Sequence, residues 1–161
     1  MNKGLSDKLV TEFPDITPVP RPEVTDQEIK DPNWLAGFTD GEGCFLVNYF
    51  NSPSSKSGEG VSLVFSISQH KRDIQLLESL VKHLNCGNCY PSRDIVSFVV
   101  WKFTDIYDKP FFESYSLQGV KAKNYENFKK VAELMKSKSH LTESGLEEIK
   151  SIKSEMNFVR T

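Results

Sequence analysis

Apolar and small polar residues alternate along Val61–Ser68. Leu63, Phe65 and Ile67 share one face, and Ser62, Val64, Ser66 and Ser68 share the other. A period of two marks a strand with one covered face. The run Cys44–Phe50 reads as a strand before it, across the polar, turn-rich loop Asn51–Gly58. Cys86–Pro91 and Val96–Phe103 are predicted as a hairpin around Ser92-Arg93-Asp94. Helical spacing governs the other apolar positions. Ile74, Leu77, Leu80, Val81 and Leu84 form a stripe along Lys71–Leu84, stopped by Asn85-Cys86-Gly87. A short helix is expected from Asp108-Lys109-Pro110 through Tyr115, and a longer one over Lys123–Lys136 with Tyr125, Phe128, Val131, Ala132 and Met135 inward. Thr142 caps a last helix that buries Leu146, Ile149, Ile152 and Met156. This order, αββαββαα(α), predicts an α+β domain over residues 31–161, with an antiparallel four-stranded sheet and helices packed on one face.

One stretch breaks the pattern. Asp31 suits an N-cap and Pro32 the first helical position, so a helix starts there and must stop at Gly41-Glu42-Gly43, where a strand begins. Gly37 and Gly41 lie four apart and, with Trp34, leave one helical face nearly free of side chains. A bare face allows a second helix to approach backbone to backbone. Leu35 and Phe38 point elsewhere, into a core. Glu42 is then held between two glycines at the end of the helix, placed for metal binding rather than packing. Asp40, two residues earlier, points away along the helix and reads as structural or as an interface hydrogen-bonder.

Composition limits the alternatives. At 161 residues and 38% apolar content the chain can bury one real core, and no apolar run approaches the roughly eighteen residues needed to span a bilayer. The start, Met1-Asn2-Lys3-Gly4, lacks the pattern of a signal or transit peptide. Residues 1–30 read as an extended tether broken by Pro14, Pro18, Pro20 and Pro22, with a brief helical turn around Leu5–Val10. The net charge is −2; residues 1–32 hold four basic and seven acidic side chains and the remainder 16 and 15, so charge by itself does not suggest nucleic acid. Three cysteines fit a reducing compartment, and Cys86-Gly87-Asn88-Cys89 reads as two small strand residues rather than a metal site.

Leu35-Ala36-Gly37-Phe38-Thr39-Asp40-Gly41-Glu42-Gly43 resembles the nine-residue motif of the LAGLIDADG homing endonucleases, with Glu in place of Asp at the acid. The resemblance extends over roughly residues 20 to 157, including Phe65–His70, Phe98-Val99-Val100 and Gly119-Val120-Lys121. It is strongest to the second half of a double-motif enzyme of fungal organellar introns. The opening Met1-Asn2-Lys3 echoes Glu155-Met156-Asn157, as if the tether continued from a preceding, related half. The resemblance implies a double-stranded DNA endonuclease dependent on Mg²⁺, with Ca²⁺ supporting a non-cleaving complex. It implies catalytic roles for Glu42, Gln69 and Lys121 and metal ligation by Glu42 and the Gly41 carbonyl. Carboxylate and carbonyl oxygens are the ligands that hard Mg²⁺ takes, and one acid from each of two converging helices would build the site.

A chain with one motif must pair. The expected partner is a second copy through Trp34, Gly37 and Gly41, which makes a near-palindromic site a geometric consequence; a related first half is the other partner. The sheet's open face is the expected DNA surface: Cys44, Leu46, Asn48 and Phe50, then Ser62, Val64, Ser66 and Ser68, then Ser97, Val99 and Trp101. Lys56, Arg72 and Arg93 in the loops are expected phosphate contacts. No membrane is involved. A natural chain would act in the mitochondrion, on the genome encoding it; an engineered one would be intracellular. The rival readings are a non-cleaving RNA maturase or DNA-binding regulator, and a half inactive without its partner.

Overall fold

A computed structural model describes residues 5–17, 19, 27–53, 55 and 58–157. Helix α1 (Asp7–Glu12) begins the described chain, capped by Ser6, and buries none of its side chains. Helix α2 (Pro32–Glu42) leads without a loop into strand β1 (Gly43–Asn51), which turns back as β2 (Glu59–His70). A 3₁₀ turn over Lys71–Asp73 opens α3 (Ile74–Leu84), so the expected Lys71 start is one tight turn too early for the α-helix. Asn85 in the left-handed conformation and Gly87 at φ +76° then reverse the chain, as the Asn-Cys-Gly stop requires.

The hairpin β3 (Asn88–Ser92) and β4 (Ile95–Val100) is shorter at both outer ends than the alternation suggested. Cys86 lies in the loop, Trp101 follows the strand, and Phe103 opens helix α4 (Phe103–Tyr107) instead of ending β4. Phe103 shares a face with Tyr107 and stacks on it, ring centroids 5.6 Å apart; this i,i+4 aromatic pair was concealed by the strand-like run before it. A single turn, α5 (Phe111–Ser114), stands where a helix through Tyr115 was expected. Helix α6 runs Lys121–Lys136, starting two residues before Lys123, and α7 (Glu143–Ser154) is capped by Thr142 as its sequence proposes.

All strand pairs are antiparallel, and the sheet order is β1-β2-β4-β3. Phe45, Val47, Leu63, Phe65, Ile67, Val96, Phe98 and Val100 are buried on the face that the helices cover. Phe45 is the hub: its ring meets those of Phe65, Tyr125, Phe128 and Phe112 at centroid distances of 5.0, 5.4, 5.3 and 5.8 Å. Aromatic pairs of this geometry add roughly 0.5–1.5 kcal/mol each beyond simple burial. They tie β1, and so the end of α2, rigidly to α5 and α6. Met156 is buried and the Asn157 side chain donates to the Phe45 carbonyl at 2.9 Å, fastening the end of the described chain to the same strand. The Met1-Asn2-Lys3 echo of this segment lies outside the described residues.

Candidate functional site

The site is built where α2 ends. Asp31 accepts the Asn33 amide at 2.8 Å and Pro32 opens the helix, as expected from the pair. Leu35, Ala36 and Thr39 are buried on one side. Phe38 reaches only the edge of the core and stacks on Trp34 (4.9 Å, 17° between planes), which corrects the expectation that it enters it. Gly37 and Gly41 are exposed, and a Cβ added at either meets nothing within 4 Å. Gly43 is different: its Cβ would lie 2.5 Å from Thr39 Cγ2 and 2.7 Å from the Thr39 carbonyl oxygen, so only glycine permits the exit from α2 into β1. Glycine inside a helix costs about 1 kcal/mol relative to alanine. Among the described residues nothing packs against Gly37 or Gly41 to offset that cost.

The last turn of α2 presents the negative end of the helix dipole, and Glu42 adds a solvent-exposed carboxylate there. This end attracts cations. The Lys121 ammonium, from the first position of α6, donates to the Gly41 carbonyl at 2.6 Å. The structure thus brings together three sequence-selected residues, Gly41, Glu42 and Lys121. Asp40 does turn away from them: its Oδ2 accepts the amides of Gln118 and Gly119 at 2.7 and 3.0 Å. Gln69 is half-buried and pairs with Val96 one residue before β2 ends at His70. Alternation places it on the helix-covered side, level with the α2–β1 junction when the Gly43↔Ile67 register is extended.

Glu42 and Gly41 offer only hard oxygen donors, which suits Mg²⁺ or Ca²⁺ rather than a thiophilic metal. Two oxygens fall far short of six, so the donor set fits a cation shared with other ligands. Among the described residues no group of three His, Cys, Asp or Glu side chains could hold a metal by itself. Cys86 and Cys89 are free and half-buried, and burial pushes both thiols up, away from the reactive thiolate. His70 Nδ1 accepts the Arg72 amide at 3.2 Å, the strand-end role its position suggests.

The opposite face of the sheet is covered by no helix among the described residues, and its side chains are exposed or half-buried. Its register aligns Cys44 with Ser66, Leu46 with Val64, Asn48 with Ser62 and Phe50 with Gly60, whose missing side chain leaves room for the Phe50 ring. Ser66 and Ser68 continue to Val99 and Ser97, and the Ser68 and Ser97 hydroxyls hydrogen-bond at 2.7 Å. All ten strand residues expected on this face therefore share it. Trp101, beyond the strand, keeps its place by stacking on Tyr90, centroids 5.0 Å apart. Asn88, Tyr90 and Ser92 of β3 extend the surface and were missed by sequence reading. The two-residue turn Arg93-Asp94, with Arg93 at φ +53°, sets this register and was the available signal. Arg72 and Arg93 are exposed near one end of the sheet; Arg72 faces Asp73 at 3.6 Å, and Lys56 lies outside the described residues.

A family model described as LAGLIDADG endonuclease matches residues 35–132, from α2 into α6. The chain belongs to the LAGLIDADG endonuclease family. "Probable intron-encoded endonuclease 2" of Neurospora crassa is 40% identical over 170 residues, covering 97% of this chain and 36% of that protein. The homing endonuclease I-LtrWI, solved bound to target DNA, is 47% identical with a TM-score of 0.89, covering 100% of this chain and 55% of that one. I-SmaMI, solved bound to cleaved DNA, is 42% identical with a TM-score of 0.91 over the same shares, and has also been solved on uncleaved target with calcium ions. This LAGLIDADG chain spans about half the length of those solved relatives and about a third of the Neurospora protein.

Proposed function

We propose that the chain is a site-specific double-stranded DNA endonuclease whose cleavage site forms when two such α2 helices meet through Trp34, Gly37 and Gly41. The observation that carries this reading is the Lys121 ammonium on the Gly41 carbonyl, beside an exposed Glu42, at the end of a helix face whose glycines no described residue covers. Glu42 and the Gly41 carbonyl hold the divalent cation, Mg²⁺ in the active enzyme. Held there, such a cation would supply charge neutralisation at a scissile phosphate and acidity for a water molecule. Lys121 contributes fixed positive charge at the same edge, where charge builds on phosphate oxygens during hydrolysis. Gln69, level with this junction, orients the attacking water by hydrogen bonding. The open sheet face lies in the major groove and reads base edges through residues such as Asn48, with Lys56, Arg72 and Arg93 on phosphates.

Pairing with a second copy makes the preferred site near-palindromic. The half-length coverage of the solved relatives supports a second arrangement, in which a related half of a longer chain supplies the other helix. The intron-encoded relative supports origin in an intron. Light scattering with and without a selected duplex separates the arrangements. A homodimer gives a mass near twice 18.3 kDa. A single mass that stays single on DNA contradicts it and leaves the related half as partner.

A further inference from the structure

We propose that Asp40 is a positioning residue for Lys121: its carboxylate, from α2, holds the start of α6 so that the lysine ammonium is delivered to the Gly41 carbonyl. This rests on the reading of Lys121 as part of the cleavage site. Helix α6 begins at Lys121 with Val120 as its N-cap and no side-chain cap from its own segment. The approach to it is anchored by Leu117, which is buried. The next two amides, Gln118 and Gly119, both donate to Asp40 Oδ2. An acid from a different helix therefore fixes the two loop amides that lead into α6, and its charge lies on the side of the positive end of that helix.

The arrangement closes a ring. Asp40 and Gly41 are consecutive; the side chain of one fixes residues 118–119, and the carbonyl of the other receives Lys121 at 2.6 Å. A lysine side chain is long and rotamer-rich, so a helix start fixed elsewhere would leave the ammonium sampling solvent. The clamp is closely fitted. Asp40 Oδ1 is buried with no hydrogen-bond partner, and a Cβ at Gly119 would lie 3.0 Å from it. The carboxylate thus presses against the one loop residue that has no side chain.

The first test needs no DNA. Lysines of the folded full chain are acylated with acetic anhydride and their rates read by peptide mass spectrometry, with exposed Lys123 of the same helix as reference. Lys121 should react at least threefold more slowly than Lys123 in the wild type. It should match Lys123 in Asp40→Ala and in Gly119→Ala, and stay protected in Asp40→Asn, which keeps an acceptor oxygen. Equal rates in the wild type, or protection surviving both Asp40→Ala and Gly119→Ala, overturns the proposal. Circular dichroism confirms that the compared variants are folded, and Gly119→Ala carries the test if Asp40→Ala is not.

The second test reads cleavage. Asp40→Ala should slow single-turnover cleavage about tenfold with duplex affinity unchanged, and should add nothing to the loss already caused by Lys121→Met. Additive losses mean that Asp40 acts by another route. Wild-type chain that fails to cleave contradicts the endonuclease reading alone, because the labelling result stands without it.

Discussion

Glu42→Gln should lower the rate of DNA cleavage by about a thousandfold or more while leaving duplex affinity within about threefold. The substitution keeps the size and one carbonyl oxygen of the side chain but removes the charge proposed to hold a divalent cation. Glu42 is solvent-exposed and takes no part in the core, so nothing in the fold depends on that charge. The face proposed to bind DNA is a separate surface, the open side of the sheet, and should be untouched. Cleavage is measured in Mg²⁺ and affinity by fluorescence anisotropy in Ca²⁺. A variant that cuts within tenfold of the wild type would remove Glu42 from the mechanism and move attention to a different acid.

Gly37→Leu should have opposite effects on the chain and on its pairing. Inside the chain a side chain here meets open space, and leucine is a better helix former than glycine by about 1 kcal/mol. The isolated chain should therefore unfold at the same temperature or slightly higher. Between two chains, a leucine at the closest point of helix approach forces the backbones apart, and dissociation should rise at least about a hundredfold, with cleavage lost in parallel. Gly43→Ala supplies the contrast. Its new Cβ would collide with Thr39, so it should destabilise the chain itself. Light scattering and thermal unfolding of the two variants separate the effects. A Gly37→Leu chain that pairs normally would place the interface elsewhere on the molecule.

The sheet was legible in the sequence because one face is buried. Leu63, Phe65 and Ile67 alternate with serines, and a slip of one residue would have exposed three large apolar side chains. The same alternation fixed the open face of β1, β2 and β4. It failed for β3, where exposed Asn88, Tyr90 and Ser92 flank half-buried Cys89 and exposed Pro91, so the apolar contrast is weak. At the site, Gly41-Glu42-Gly43 declared itself through its glycines, of which Gly43 serves the tight exit into β1 and Gly41 meets nothing among the described residues. Lys121 was selected only by resemblance, since a single lysine carries no local signal. Its meeting with Gly41, eighty residues away, is a tertiary fact. Asp40 was read as structural or as an interface group, and in this chain its carboxylate accepts the amides of residues 118 and 119; that these donors lie just ahead of another helix could not be read from spacing.

The central claim is that two Glu42-bearing helix ends together cut DNA at a defined sequence. The most direct measurement is to incubate the wild-type chain with a randomised duplex library in Mg²⁺ and sequence the cut ends. Paired breaks on both strands at a fixed offset, within a long and near-palindromic consensus, are the predicted result. Breaks without sequence preference, or none at any protein concentration that supports pairing, would contradict it.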